Sequence, residues 1–226
     1  MPEIKYTWSY SSLDLFKQCP HKYLRLKIKK DFVEPPSEQI LYGNAMHKAA
    51  EEYIRDGTPL PDRFLQFKEP LDKLRDMEGK HLCEYKMGLT RSLEPCGFMA
   101  KDVWWRGIAD LLIINGTKAK LVDYKTGRSS KNADTKQLEL LSLAVFKHFP
   151  EVTSIQGGLL FVVANDFIRG TYEVEKSPEY WARWLADTAR LEKALEVDVW
   201  NPRPNFTCSK WCPVTDCAHN GRGSRY

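Results

Sequence analysis

The sequence predicts a single α/β domain with an elaboration at its two ends. Its 226 residues suffice for one well-buried domain and are few for two independent ones. The composition, 42% hydrophobic and 28% charged, is typical of a soluble globular protein and excludes disordered, collagen-like and coiled-coil chains. Hydrophobic periodicity orders the elements as helix, helix, hairpin, helix, strands and helix. We therefore treat residues 1–226 as one domain.

Two amphipathic helices are predicted near the start of the chain. Ser11 or Ser12 can cap the first, because a serine hydroxyl accepts a hydrogen bond from the first helical turn. The second begins near Gly43 and carries apolar residues at the i, i+3, i+4, i+7 and i+8 positions of one helix face. These residues are Met46, Ala49, Ala50, Tyr53 and Ile54. No regular element is predicted from there to Val103.

A β-hairpin is the strongest local prediction. A strand-forming run extends from Val103 to Ile114, turns at Asn115-Gly116 and resumes from Leu121 to Lys125, and Asn-Gly is a preferred hairpin turn. The remaining predicted elements are a leucine-rich helix over Asp134–Phe149, a buried strand over Ile155–Val163, a partner strand over Ile168–Val174 and a last helix that begins at Ser177-Pro178.

The hairpin brings charged side chains to one face of the sheet. A turn at Asn115-Gly116 places Asp110 opposite Leu121, and alternation along the second strand puts Asp123 and Lys125 on the same face. Buried charges are costly unless they are paired or bind a cation. Two neighbouring carboxylates suit Mg²⁺ or Mn²⁺. The alternative is an exposed sheet face with a structural Asp–Lys pair.

A histidine and a glutamate lie on the second predicted helix at i, i+4. His47 and Glu51 border its apolar face, so both side chains can point toward the hairpin. An imidazole is a good ligand for Mn²⁺ and a tolerable one for Mg²⁺. The alternative is an ion pair on the helix surface.

The residues of the second predicted helix and of the hairpin, taken in sequence order, resemble the PD-(D/E)XK nuclease superfamily, in its RecB-like branch. The resemblance rests on Gly43–His47, Gly107–Asp110, Val122–Gly127 and Gln137. It implies that Asp110 and Asp123 bind a metal, that Lys125 is catalytic, that His47 is the branch's extra metal ligand and that the Tyr124 backbone carbonyl completes the metal shell. Gln137 matches the glutamine of a Q-x-x-x-Y motif whose tyrosine position is Leu141 here.

This resemblance implies a restriction-endonuclease-like fold, a mixed central sheet flanked by helices. The implied activity is metal-dependent deoxyribonuclease, acting as an exonuclease on DNA ends or single strands in recombination, repair or phage DNA processing. A structure-specific flap or junction endonuclease and a non-cleaving DNA-binding module are the alternatives. Glu51 is a further candidate catalytic residue. The chain has no G-x-x-x-x-G-K-[ST] loop, so a helicase or recombination partner would be a separate protein.

The cysteines predict a second metal centre. Three of the six lie within ten residues near the C-terminus, at Cys208, Cys212 and Cys217, and that grouping suggests metal binding. In iron–sulfur members of the branch, including CRISPR-adaptation nucleases, three such cysteines join one near the N-terminus, here Cys19, to hold a 4Fe-4S cluster. Four thiolates also suit Zn²⁺, with His219 as a possible substitute ligand, and unliganded thiols are a third possibility. The implied metal lobe comprises residues 1–30 and 201–226.

Positive charge is concentrated in one segment near the N-terminus. The net charge is only +4, but the segment from Phe16 to Lys30 holds six Lys or Arg residues and no carboxylate. This segment could face DNA phosphates or form a solvated helix face.

No apolar run approaches the roughly 18 residues of a membrane span, and the first residues lack a signal-peptide layout. We expect a cytoplasmic protein of a prokaryote or of a phage-infected cell, without a membrane partner.

Overall fold

The structure is a computed structural model that describes residues 6–131 and 133–221. The described residues divide into two compact units. One, the terminal unit, lies within Met1–Pro35 and Trp184–Tyr226, and the other, the sheet unit, lies within Pro36–Arg183. The predicted terminal segments, residues 1–30 and 201–226, fall in the terminal unit. None of the helices in the described residues has both the length and the apolar character that crossing a membrane requires.

Helices and strands follow one another in nearly the predicted order. The α-helices of the described chain are α1 (Tyr10–Gln18), α2 (Pro20–Tyr23), α3 (Glu38–Asp56), α4 (Lys68–Arg75), α5 (Lys136–His148) and α6 (Ser177–Val197). The strands are β1 (Lys80–Leu89), β2 (Pro95–Cys96), β3 (Trp105–Asn115), β4 (Lys118–Lys125), β5 (Ser154–Phe161) and β6 (Asp166–Glu173). A π-helical turn (Leu24–Ile28) follows α2, and 3₁₀ turns precede α4 (Asp62–Phe67) and α6 (Val174–Lys176).

The sheet unit is built on one mixed sheet of strand order β2-β1-β3-β4-β5-β6. Only β4 and β5 pair in parallel, and the other neighbours are antiparallel. Parallel neighbours need a crossover, and α5 supplies it between β4 and β5. This arrangement agrees with the mixed sheet flanked by helices that the sequence predicts.

Helices cover both faces of this sheet. The predicted apolar face of α3 is buried, from Met46 to Ile54, in a core shared with α4 and with Leu111, Val122 and Tyr124 of the sheet. On the opposite face, α5 contributes an almost wholly apolar set of buried side chains. The central strand β4 is consequently buried on both sides, which makes any charge on it costly.

The first two predicted helices correspond to α1 and α3, and both begin earlier than the sequence predicts. Ser9, rather than Ser11 or Ser12, caps α1, because its hydroxyl accepts the Ser12 N–H while the Ser12 hydroxyl receives the Ser9 N–H. Ser37 caps α3, so that Gly43 lies inside the helix rather than at its start. At α1, the reciprocal capping box of Ser9 and Ser12 satisfies two backbone donors, whereas a single capping serine satisfies only one.

The hairpin turn also differs from the prediction by one residue. Asn115 pairs with Lys118, which leaves Gly116 and Thr117 as the two-residue loop. Gly116 has a φ of 58°, and a glycine at the first loop position is typical of a type II′ turn. The pairing therefore shifts by two residues from the predicted one.

Aromatic packing organises the terminal unit. Trp8 stacks on Trp184 with ring centroids 6.3 Å apart, and Phe16 and Tyr23 pack against Trp200. All five rings are buried. Their contacts join the N-terminal helices to the C-terminal part of the chain within one unit.

Candidate active site

Two acidic residues meet across the β3–β4 hairpin. The register that pairs Leu111 with Val122 brings Asp110 opposite Asp123, not opposite Leu121 as predicted. A shift of two residues preserves the alternation of side chains, so the prediction that both carboxylates share one face stands. Asp110 Oδ2 accepts the Tyr124 backbone N–H at 2.8 Å, which fixes the orientation of its carboxylate.

His47 reaches this site from α3. Its Nε2 lies 3.0 Å from the Tyr124 carbonyl oxygen, and because a carbonyl only accepts, Nε2 carries the proton. Its Nδ1 lies 3.3 Å from Asp110 Oδ2. Burial lowers the pKa of His47, but the hydrogen bond to Asp110 and the charges of Asp110 and Asp123 together raise it above the ordinary value. In a neutral ring, two lone pairs would face each other across that 3.3 Å, so the contact calls for a proton or a cation.

Glu84 is a third acidic residue at the site, and the sequence prediction missed it. One oxygen or nitrogen atom from each of His47, Glu84 and Asp110 lies within 4.8 Å of the other two. Burial and the charge of Asp110 raise the pKa of Glu84. Its φ is 47°, in the left-handed region that non-glycine residues rarely occupy and that often marks functional sites.

An ion pair between a buried aspartate and a half-buried lysine lies beside this group. Asp123 is 3% exposed, and its Oδ2 lies 2.6 Å from Lys125 Nζ. Lys125 Nζ also donates to Gln137 Oε1 at 3.0 Å. Burial and the charge of Asp110 raise the pKa of Asp123 to about 6, although Lys125 and His47 act in the opposite direction. Asp123 is thus a carboxylate whose ionised form needs positive charge nearby.

The donor atoms fit a hard divalent cation. Mg²⁺ and Mn²⁺ bind carboxylate oxygens, and Mn²⁺ also binds imidazole nitrogen well. Ligands about 2.1 Å from an octahedral ion lie about 3 to about 4 Å from one another, a spacing compatible with the His47, Glu84 and Asp110 group. The opposed His47 Nδ1 and Asp110 Oδ2 atoms give a physical reason for a cation there.

The contacts of Glu51, the Tyr124 carbonyl and Leu141 bear on three further positions that the sequence singled out. Glu51, one turn after His47 on α3, forms an ion pair with Arg55, and it is not part of the His47, Glu84 and Asp110 group. The Tyr124 carbonyl already accepts the His47 hydrogen bond and retains a second lone pair. Leu141, which stands at the tyrosine position of Q-x-x-x-Y, is buried.

Gly107 allows a close approach next to the site. A Cβ atom at this position would lie 2.7 Å from the Trp105 ring and 3.0 Å from Leu141 Cδ2. Only glycine therefore fits between the two side chains. This contact gives a steric reason for the glycine three residues before Asp110.

The four predicted cysteine ligands line one small cavity in the terminal unit. Cys19, Cys208, Cys212 and Cys217 all border it, together with His219. All six cysteines are free thiols, and in the described chain no three cysteine sulfurs lie within 4.8 Å of one another. A cysteine-bound metal centre is therefore not shown. Cys83 and Cys96, the two cysteines that do not line this cavity, are partly exposed.

Backbone N–H groups point at two of these sulfurs. Cys19 Sγ lies 3.4 Å from the Lys22 nitrogen and 3.5 Å from the Arg203 nitrogen. Cys208 Sγ lies 3.4 Å from the Asn205 nitrogen. N–H donors of this kind stabilise negative charge on sulfur.

Half of the basic N-terminal cluster is neutralised. Lys17 pairs with Asp187, Lys22 with Glu34, and Arg25 with both Asp31 and Asp216. These pairs match the solvated-face interpretation better than direct phosphate contact.

Comparison with proteins of known structure shows the fold. The chain resembles the protein SSO0001 with 15% identity and a TM-score of 0.50, over 97% of this chain and 90% of that one. It also resembles a protein from Eubacterium rectale, named as a candidate exonuclease, with 13% identity and a TM-score of 0.53, over 90% of this chain and 86% of that one. No curated protein matches the sequence significantly.

Comparison with family models identifies the family. The model of the PD-(D/E)XK nuclease superfamily matches residues 7–217, nearly the whole chain. That range includes the paired aspartates, Lys125 and His47. The chain therefore belongs to the PD-(D/E)XK nuclease superfamily.

Proposed function

We propose that the protein is a deoxyribonuclease that depends on Mg²⁺ or Mn²⁺ and acts as an exonuclease on DNA ends or single strands. The observation that carries this proposal is the convergence of His47, Glu84 and Asp110 beside the ion pair of the buried Asp123 with Lys125. Membership of the PD-(D/E)XK nuclease superfamily supports nuclease activity. The name of the similar Eubacterium rectale protein favours cleavage from ends.

Five groups would hold the metal. Asp110, Asp123 and His47 are the main ligands, with Glu84 and the Tyr124 carbonyl as further ones. A divalent ion bound there would polarise the scissile phosphate and lower the pKa of a water molecule. Asp110 and His47 are oriented by hydrogen bonds to the backbone of Tyr124, so little reorganisation is needed on binding.

Lys125 would act on the reacting phosphate. Its Nζ is held between Asp123 Oδ2 and Gln137 Oε1, and a positioned ammonium can orient the attacking water or stabilise negative charge that develops on the phosphate oxygens. Gln137 would position Lys125. Glu51 would act on Glu84 through its charge.

The terminal unit would hold a 4Fe-4S cluster on Cys19, Cys208, Cys212 and Cys217. Support comes from the shared cavity and from the N–H groups directed at two of the sulfurs. A tetrahedral zinc ion on the same four thiolates is the alternative. A cluster would fasten the two ends of the chain.

The cellular role we propose is recombination, repair or phage DNA processing. The substrate would be DNA, and a separate helicase or recombination protein would unwind it.

A cleavage assay on linear and circular single-stranded DNA tests the activity. The parent protein should shorten linear DNA labelled at either end, in Mg²⁺ or Mn²⁺ and not in EDTA. Asp110→Asn should be inactive. Asp62→Asn, an exposed aspartate of the same unit, is the matched control and should cut at the parent rate.

The same assay separates the alternatives. Cutting of circular DNA as fast as linear DNA would make the protein an endonuclease. No cutting by the folded parent in either metal would leave a DNA-binding module and overturn the proposal.

A further inference from the structure

Two exposed aromatic rings stand out in the terminal unit. Trp211 is 61% exposed and Phe206 is 82% exposed. The protein has seven tryptophans, all in the described chain, and the other six are buried. The rings of Phe206 and Trp211 lie edge to face with centroids 6.5 Å apart. Such a pair leaves a large apolar area in water unless a ligand covers it.

The segment that carries these rings is held in place. The Thr207 carbonyl accepts N–H groups of Lys210, Trp211 and Cys212. Asn220 is 1% exposed, and its Nδ2 donates to the carbonyls of Cys212 and Val214. The two rings are therefore presented by a hydrogen-bonded scaffold, and a ligand that stacks on them loses little affinity to ordering of the loop.

The charge around the rings favours an anion. The sequence from 199 to 221 contains one carboxylate, Asp216, and Arg25 neutralises it with two contacts of 2.8 Å. The same stretch carries Arg203 and Lys210, and Lys210 Nζ lies 5.9 Å from the Trp211 ring centroid. Exposed rings together with uncompensated cations are the combination that single-stranded nucleic acids bind.

We propose that Phe206 and Trp211 form a stacking platform for unpaired bases of single-stranded DNA, with Lys210 contacting the adjacent phosphate. The proposal rests on the proposed nuclease function and narrows its substrate to DNA with an unpaired segment. Bases of a duplex are already stacked on one another, so they offer no free face to these rings.

Binding without cleavage tests the platform. Fluorescence anisotropy of labelled oligo(dT)20 and of a blunt 20-base-pair duplex is measured in buffer without added divalent metal, and a gel confirms that the DNA stays intact. We expect Trp211→Ala to weaken oligo(dT)20 binding about tenfold, within the range for loss of one base–aromatic stack. Binding of the duplex should change less than twofold.

Two further variants separate stacking from general apolar contact. Trp211→Phe keeps an aromatic face and should retain most of the affinity, whereas Trp211→Leu keeps apolar area without a π face and should bind as weakly as Trp211→Ala. Val33→Ala, at a residue 78% exposed in the same unit, is the matched control and should bind like the parent.

The results that overturn the platform differ from those that overturn the nuclease. If Phe206→Ala/Trp211→Ala binds oligo(dT)20 like the parent, the rings do not stack on bases. If Trp211→Leu binds oligo(dT)20 like the parent, apolar contact suffices and stacking on the rings is ruled out. If a parent protein that binds oligo(dT)20 through Trp211 fails to cut DNA in Mg²⁺ or Mn²⁺, the nuclease proposal fails while the platform stands.

Discussion

The carboxylate group of the sheet unit and the cysteine cavity of the terminal unit position their donor atoms in different ways. At the first, strand register and backbone hydrogen bonds set Asp110 and His47, and three donors lie within 4.8 Å of one another. At the second, turns of the chain carry most of the thiols, and three sulfurs do not approach that closely in the described residues.

This difference indicates which site depends on its metal for order. A sheet fixes its side chains through the hydrogen-bonded ladder whether or not an ion is bound. Loops that supply thiolate ligands gain order from the metal itself, because the free energy of metal binding becomes free energy of folding. We therefore expect loss of metal to abolish activity at the carboxylate group and to lower stability at the cysteine cavity.

The largest effect is expected from Asp123→Asn. It would remove a proposed metal ligand, so the cleavage rate should fall about a thousandfold or more. Because Asp123 is a buried carboxylate facing Asp110, losing its charge should leave the melting temperature unchanged or higher. Cleavage rate and thermal unfolding are measured on the same preparation. A folded variant that cuts within tenfold of the parent rate would remove Asp123 from the metal site.

A large effect on stability is expected from Cys19→Ala. Cys19 and the C-terminal cysteines are far apart in sequence, so a shared metal closes a long loop and restricts the unfolded chain. The melting temperature should fall by about 5 °C or more, given about 2–4 °C per kcal/mol for a chain of this size. Cys96→Ala, in the sheet unit, should cause little change.

Elemental analysis of anaerobically purified protein identifies the metal, if any, that is bound at the cysteine cavity. Iron with labile sulfide in the parent, lost in Cys19→Ala, supports the cluster. Stoichiometric zinc without iron would replace it with a four-thiolate zinc site, and absence of both metals would contradict either one.

An intermediate effect is expected from His47→Ala. In the proposed site the imidazole would supply one metal ligand from α3, whereas Met46 and Ala50 are buried in the core. The Mn²⁺ concentration for half-maximal activity should rise about tenfold or more, and saturating Mn²⁺ should restore much of the rate. A Mn²⁺ titration identical to that of the parent would show that His47 does not bind the metal.

The smallest effect is expected from Gln137→Ala. Gln137 holds Lys125 through one hydrogen bond, so its loss should lower kcat about threefold to tenfold and leave KM and the melting temperature unchanged. Gln137→Glu keeps an acceptor for Lys125 and should recover most of the loss. Lys136→Ala, the exposed neighbour, is the control. A change in KM alone would place Gln137 in substrate binding instead.

The sequence predicts that Asp110 and Asp123 share one face of the sheet, but it does not predict which residues pair across the β3–β4 hairpin. Alternation along a strand has a period of two, so an error of two residues in the pairing left Asp110 and Asp123 on the same face. The buried side of α3 was predicted for a similar reason, since its period follows from helix geometry and not from its neighbours.

Glu84 could not be predicted because its role depends on long-range pairing. It lies in β1, whose residues show no clean alternation of burial, and β1 pairs with β3 across a long connection. The run Lys80–Leu89 holds a single residue of the strand-forming types, Tyr85, so its composition does not indicate a strand. Only the position of β1 beside β3 places Glu84 at the site.

The two-residue loop between β3 and β4 also sets an order of events during folding. A hairpin with so short a loop closes in about 1–10 μs, whereas the parallel pairing of β4 with β5 must wait for the α5 crossover. We therefore expect Asp110 and Asp123 to meet before β5 joins the sheet. Lys125, on the same strand as Asp123, offsets part of their repulsion at that stage, so replacing it should slow refolding as well as hydrolysis.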